Sequence, residues 1–239
     1  MKEIQDRIST FFNDLSFVED THTYFIKKDK VKLSVSKIVE KYKNKADWEA
    51  IKEGLSAKTG KSPQQIQEEW DKISEKACTL GTATHLFGEH YAINRNLIPS
   101  TPFEQAIVKF WNDLPEHIVL LKTEAQMYHK HFLFAGTSDI LLYNTITKEI
   151  YIADYKTNKD LFKNFRLNRM SGVFSDLLCM NFNHYALQLS LYQILIEQVP
   201  GVKISKRKII WLKPDGNYEM YDTEDYTEEL QKELYLIFN

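Results

Sequence analysis

The sequence predicts an α/β fold: a central mixed sheet flanked by helices, with an N-terminal hairpin and a helical extension. Three observations predict it. Helical periodicity fills the first half, and three strand-like runs follow in succession. A long apolar helix and a further strand then complete the pattern. The strand runs are apolar on both faces, as in a sheet covered by helices on both sides. At 239 residues, 43% apolar and 27% charged, the chain has the composition of an ordinary globular protein with a substantial core. The net charge of −2 gives no global basic field, so an anionic partner must be held by local patches or a metal ion. Two cysteines, Cys78 and Cys179, with no C-x-x-C pair exclude a zinc ribbon and a four-cysteine iron–sulfur cluster, and point to a reducing compartment. No run of eighteen apolar residues and no N-terminal h-region are present, so the expectation is a cytoplasmic protein with no membrane partner.

In chain order, HTYFIKKDKVKLSVSKIV reads as a strand, a charged turn at Lys28–Lys30, a second strand and a helix capped by Ser34 or Ser36. Ser62 as N-cap and Pro63 at the first helical position open a long helix, with Ile66, Trp70, Ile73 and Ala77 at helical spacing. Thr101 to Leu114 is a second amphipathic helix. The three strands are HIVLLKTEAQMYH, FLFAGTSDILLYN and EIYIADYKT, the last two joined by the short polar turn Thr145–Lys148. A long apolar helix is predicted from Phe174, ended by Pro200–Gly201. A strand at KRKIIWL, a turn at Pro214–Asn217, another strand and a polar C-terminal helix close the chain. No linker marks a boundary, so residues 1–239 read as one domain: an elaboration over 1–60, a core over 61–212 and a terminal turn and helix over 213–239.

Two acids stand out in this pattern. With Thr145–Lys148 as the loop, Asn144 pairs with Glu149, and counting outward places Asp139 opposite Asp154. Like charges directly opposite on neighbouring strands repel. Carboxylates in a covered sheet are costly without a compensating cation. A hard divalent ion, Mg²⁺ or Mn²⁺, is the natural partner. Lys156, two residues beyond Asp154, projects from the same face and is placed to hold an anionic oxygen or a water.

Four segments, GTATH (Gly81–His85), GTSD (Gly136–Asp139), DYKT (Asp154–Thr157) and QLSLY (Gln188–Tyr192), occur in this order. In that order and on those elements they resemble the PD-(D/E)XK nuclease superfamily. Within it they are most similar to the RecB-like branch that includes the mitochondrial genome maintenance exonuclease. The resemblance implies a restriction-endonuclease-like αβββαβ core. It also implies a deoxyribonuclease using one or two Mg²⁺ or Mn²⁺ ions, and DNA, single-stranded or with free ends, as partner and substrate. It implies an exonuclease in recombination, repair or phage DNA processing. A structure-specific or restriction-type endonuclease shares the site, and a non-catalytic nucleic-acid-binding protein that keeps the fold is the alternative of another class. The resemblance implies His85, Asp139, Asp154 and the Tyr155 carbonyl as metal ligands, Lys156 as catalytic lysine, and Gln188, Tyr192 and Gly81 as groups contacting or ordering the nucleic acid. Glu124 matches an acid found in many relatives, where it orients a ligand, the lysine or a water. The cysteine count departs from the cluster-bearing members. No helicase region is present, so a motor or recombinase partner would be a separate protein.

Glu89 shares a helix face with Gly81 and His85, and reads most simply as a solvated glutamate; His184, one turn before Gln188, has a bland reading too. The segment after the third strand carries Lys159, Lys163, Arg166 and Arg169 interleaved with Phe162 and Phe165. Cations for phosphate and rings for bases suit a strand-tracking surface. The second basic cluster, Lys203, Lys206, Arg207 and Lys208, reads as a solvated turn.

Overall fold

The computed structural model describes every residue except 19, 20, 22, 45, 166 and 239. The chain begins with α1 (Lys2–Phe11). A small antiparallel sheet of β1 (Leu15–Val18), β2 (Thr23–Ile26) and β3 (Asp29–Lys30) follows. The charged turn lies one residue earlier than predicted, with Lys27 at a φ of 57°, and Asp29–Lys30 already pair with β2. Next come β4 (Leu33–Ser34), α2 (Val35–Glu40), α3 (Trp48–Thr59), the 31-residue α4 (Pro63–Ile93) and α5 (Pro102–Asp113). Ser34 is the cap of α2, its hydroxyl accepting from the Lys37 N–H. In α4 the Ser62 hydroxyl accepts from the Gln65 N–H, while the Gln65 side chain accepts from the Ser62 N–H, a reciprocal cap that fixes the start.

The main sheet holds β4, β5 (Ile118–Tyr128), β6 (Phe134–Asn144), β7 (Ile150–Lys156), β8 (Ile204–Leu212) and β9 (Tyr218–Asp222). Between β7 and β8 runs α6 (Asn181–Ile196), and α7 (Thr227–Phe238) follows β9. On one face Leu141, Ile152 and Ile209 pack in a core with Ile8, Ile38, Leu187, Leu191 and Leu234 of α1, α2, α6 and α7. On the other, Ile140, Leu142, Ala153 and Ile210 pack with Tyr91 of α4 and Ile107 and Phe110 of α5. The architecture is therefore mixed α/β, a mixed sheet between helical layers. No helix among the described residues is long and apolar enough to cross a membrane.

Three further elements differ from the sequence reading. Ile73 is 66% exposed and Ala77 is exposed, although their spacing predicts an inward face. The reason is length: α3 reaches α4 through the Trp48–Trp70 ring contact (5.6 Å), and the stretch beyond has no covering layer before α4 meets the sheet. The apolar helix begins at Asn181, not Phe174. Residues 172–174 form a 3₁₀ turn, and hydrogen bonds from Arg169 to the Asp176 carbonyl and from Asn164 to the Cys179 carbonyl hold the intervening backbone outside a helix. The C-terminal segment is part of the core: β9 extends the main sheet, and Leu230 and Leu234 of α7 are fully buried.

The topology of β6 creates a notch. Its register with β7 runs Tyr143↔Ile150, Leu142↔Tyr151, Leu141↔Ile152 and Ile140↔Ala153, and stops there. On that same edge β4 pairs with Phe134 and Ala135, because β5 occupies the opposite edge throughout. Gly136 to Asp139 therefore lie between two diverging neighbours, with backbone groups unladdered on that side.

Candidate active site

The hairpin register matches the sequence count: the Asn144 N–H donates to the Glu149 carbonyl (2.9 Å), and continuing outward sets Asp139 opposite Asp154. At that row the strands have separated. The Asp139 carboxylate fills the gap by accepting the Tyr155 N–H at 2.8 Å, where a ladder bond to a β6 carbonyl would otherwise form. A third acid joins the row from the other side. Thr123 pairs with Ile140 and Ala125 with Ser138, so Glu124 stands opposite Asp139. A bulge at Leu121 makes this so: without its one-residue shift, Asp139 would face Thr123. Glu124 has a φ of 42°, a left-handed backbone that is costly for a glutamate and is held by the ladder on both sides.

Each aspartate has a different cation. His85, on α4, places Nδ1 3.2 Å from Asp139. Lys156 places its ammonium against Asp154, and the same ammonium lies 4.3 Å from the centroid of the Tyr185 ring on α6. The Tyr185 hydroxyl donates to Asn158 (2.5 Å), whose carbonyl accepts from the Trp211 indole (2.7 Å). The lysine is thus held by a carboxylate and an aromatic face together. Tyr185 went unremarked in the sequence, although it precedes Gln188 and Tyr192 at i, i+3, i+7 on one helix face.

The electrostatics follow from this crowding. Burial pulls His85 down, but Asp139, with help from Asp154, outweighs it and raises the imidazole to about 9. For Asp139, burial works upward; His85, Lys156 and the Tyr155 N–H overcome it and hold the carboxyl below its usual range. Asp154 goes the other way, pushed up by burial and by the charge of Asp139 despite Lys156. Glu124 is pushed up to about 8, by burial first and then by Asp139. Lys156 stays above its ordinary value because Asp154 and Tyr185 outweigh its burial. Three carboxyls thus share two cations, and burial with mutual repulsion raises two of the three.

The helix α6 closes the site from the other layer. The Gln188 amide donates to the Tyr192 hydroxyl (2.7 Å), and Tyr192 is buried, its pKa raised by burial and by Asp154. Gly136 is required by this packing: a Cβ there would lie 2.7 Å from Val35 and 2.8 Å from Tyr192. At Gly81 a Cβ would meet only the Thr157 hydroxyl, at 3.9 Å, so the fold itself does not demand glycine there. Glu89 lines the cleft beside His85 and Glu124, with no ion-pair or hydrogen-bond partner among the described residues. His184 is turned away, its Nε2 3.4 Å from the Cys179 sulfur.

The segment after β7 divides. Lys159 and Lys163 are exposed, with no ionic partner among the described residues. Arg169 is committed to the Asp176 carbonyl (2.7 Å), and Phe162 packs on Phe182 and Tyr221, so both anchor the loop. Phe165 is 64% exposed; Arg166 lies outside the described residues. In the second basic cluster Lys203, Arg207 and Lys208 pair with Glu197, Asp225 and Asp222, and Lys206 lies over the Tyr151 ring.

No family model matches this chain, and no curated protein matches it. Among solved structures, the crystal structure of SSO0001 is similar at 12% sequence identity and a TM-score of 0.42, the match covering 98% of this chain and 83% of that one.

Proposed function

We propose that the protein is a divalent-metal-dependent deoxyribonuclease that hydrolyses phosphodiester bonds, acting as an exonuclease on single-stranded or end-bearing DNA. The observation that carries this reading is the row Glu124–Asp139–Asp154 across three neighbouring strands, with His85 paired to Asp139 and Lys156 to Asp154. Among the described residues no three His, Cys, Asp or Glu side chains already converge as a metal group, since Asp139 and Asp154 are each turned to a protein cation. The donor chemistry nevertheless fits. Carboxylates, the Tyr155 carbonyl and the His85 imidazole, once it gives up its proton, form an oxygen-rich set suited to Mg²⁺ or Mn²⁺. Burial first and the charge of Asp139 second push Asp154 and Glu124 up, and a bound cation would draw both back toward the ionised form. Such an ion supplies a Lewis acid for the phosphate and lowers the pKa of a bound water.

The chain's own groups have the remaining tasks. Lys156, kept charged by its surroundings, holds a phosphate oxygen or positions the water. The Tyr155 N–H anchors the Asp139 carboxylate, which keeps that member of the row in place as charge develops. Lys159 and Lys163 are available for backbone phosphates outside the notch. The test is a panel of end-labelled linear and closed circular single-stranded DNAs with Mn²⁺. Linear strands are degraded, circles survive, and EDTA stops the reaction. Lys156→Ala lowers the rate by about 10²–10³-fold or more while the far-UV circular dichroism stays that of the parent, the melting temperature falling because Asp154 loses its buried partner. A Lys156→Ala protein that cuts as fast as the parent sinks the catalytic assignment, and cut circles make the enzyme an endonuclease.

A further inference from the structure

A cleft of about 380 Å³ opens beside the row of acids, between the β1–β2 hairpin, α4 and the outer ends of β5 and β6. That volume is within the range of small-ligand sites, roughly 300–1,000 Å³. Its two ends differ chemically. The inner end is Asp139, Glu124, Glu89 and His85. The outer end is neutral: the rings of Phe17 and Tyr24, 4.6 Å apart, on the hairpin side and Leu86, 51% exposed, on α4. The Tyr24 hydroxyl is bonded to Thr137 on β6 (2.8 Å), which fixes the ring to the sheet. Gln126, paired with Thr137 one strand over, also lines this end, and its amide has no hydrogen-bond partner among the described residues.

Resting on the nuclease reading, we propose that this outer end binds the nucleobase next to the scissile phosphate, stacked against Phe17 and Tyr24. The inner end belongs to the row, where the phosphodiester sits once a cation offsets the acids, so the neutral outer end is left for the uncharged part of the nucleotide. A base matches the walls in two ways: a flat π-face suits the ring pair, and an edge with both donors and acceptors suits the Gln126 amide. Every base has both, so the subsite is tolerant of sequence and intolerant of a missing base.

The experiment compares single-stranded oligonucleotides carrying a normal or an abasic residue at either terminal position, cut by the parent, by Phe17→Ala and by Leu86→Trp. The parent is expected to cut one of the abasic-ended strands about tenfold more slowly, within the range that base–ring stacking supplies. Phe17→Ala slows the normal strand by a similar factor and leaves the abasic-ended strand unchanged, which erases the discrimination. Leu86→Trp changes an exposed position and fills the cleft with the same result, so it decides the matter if Phe17→Ala does not fold. If the parent cuts normal and abasic ends equally, or both folded variants keep the parent's ratio, the subsite is overturned while the nuclease stands. A parent inactive on every strand overturns both.

Discussion

Two histidines lean on the same strand, five residues apart, and the difference between their surroundings separates a charged site from a packed one. His129 stacks against Phe134 at the start of β6, with ring centroids 5.6 Å apart, and against Phe132 at 4.6 Å. Its Nδ1 accepts the N–H groups of His131 (3.2 Å) and Phe132 (3.1 Å), a role open only to an unprotonated nitrogen. Burial, then the neighbouring His131, lowers it to about 4. His85 is also subject to burial, yet Asp139 carries it to about 9. Burial, with His131 beside it, makes a neutral staple. One carboxylate in the right row makes a cation that belongs to the site.

The comparison can be broken most strongly at Asp139. Asp139→Asn removes the charge that outweighs burial, so the His85 pKa is expected to fall from about 9 to below its ordinary 6.5, read by NMR titration of the ring protons. A value that stays near 9 refutes the assignment of Asp139 as its partner. A smaller effect tests His129. Its folded pKa is depressed, so the unfolded chain binds the extra proton between about 4 and 6.5. The stability from the neutral ring is present above 6.5 and is lost as pH falls toward 4. Urea midpoints at pH 7 and pH 4.5 should therefore diverge more for the parent than for His129→Gln, and equal divergence defeats the account. The smallest effect sharpens the contrast. Phe132→Leu thins the apolar cover and should let His129 rise by about one pH unit while His85 stays in place; a parallel shift in both would mean that the two sites are electrostatically one.

Much of this arrangement is legible in the sequence, and the parts that are not have identifiable physical causes. The β6–β7 register can be counted because Thr145–Lys148 is a short polar turn and the ladder beyond it runs without a bulge. The start of α4 is legible because Ser62 and Pro63 announce it, and the structure adds Gln65 as the reciprocal half of the cap. Glu124 could be matched by resemblance but not counted into the row, because its position depends on the bulge at Leu121, which no residue pattern announces. The premature start given to α6 has the same origin at another scale. Phe174 to Met180 is apolar enough to continue a helix, and side-chain bonds from distant Arg169 and Asn164 decide otherwise. The partition of the acids between a histidine and a lysine was equally hidden. Counting places Asp139 and Asp154 side by side, while the separation of β6 from β7 after Ala153 lets each find its own partner.

That counting has a consequence for how the chain can change. The turn between Asn144 and Glu149 lies about five residues, on the order of 17 Å, from the acids it aligns. It functions as a ruler: its residues can be exchanged, but adding or removing one slides every position of β7 past β6 and trades Asp154 for an apolar neighbour. A surface loop that touches none of the reacting groups is thereby as restricted in length as those groups are in identity.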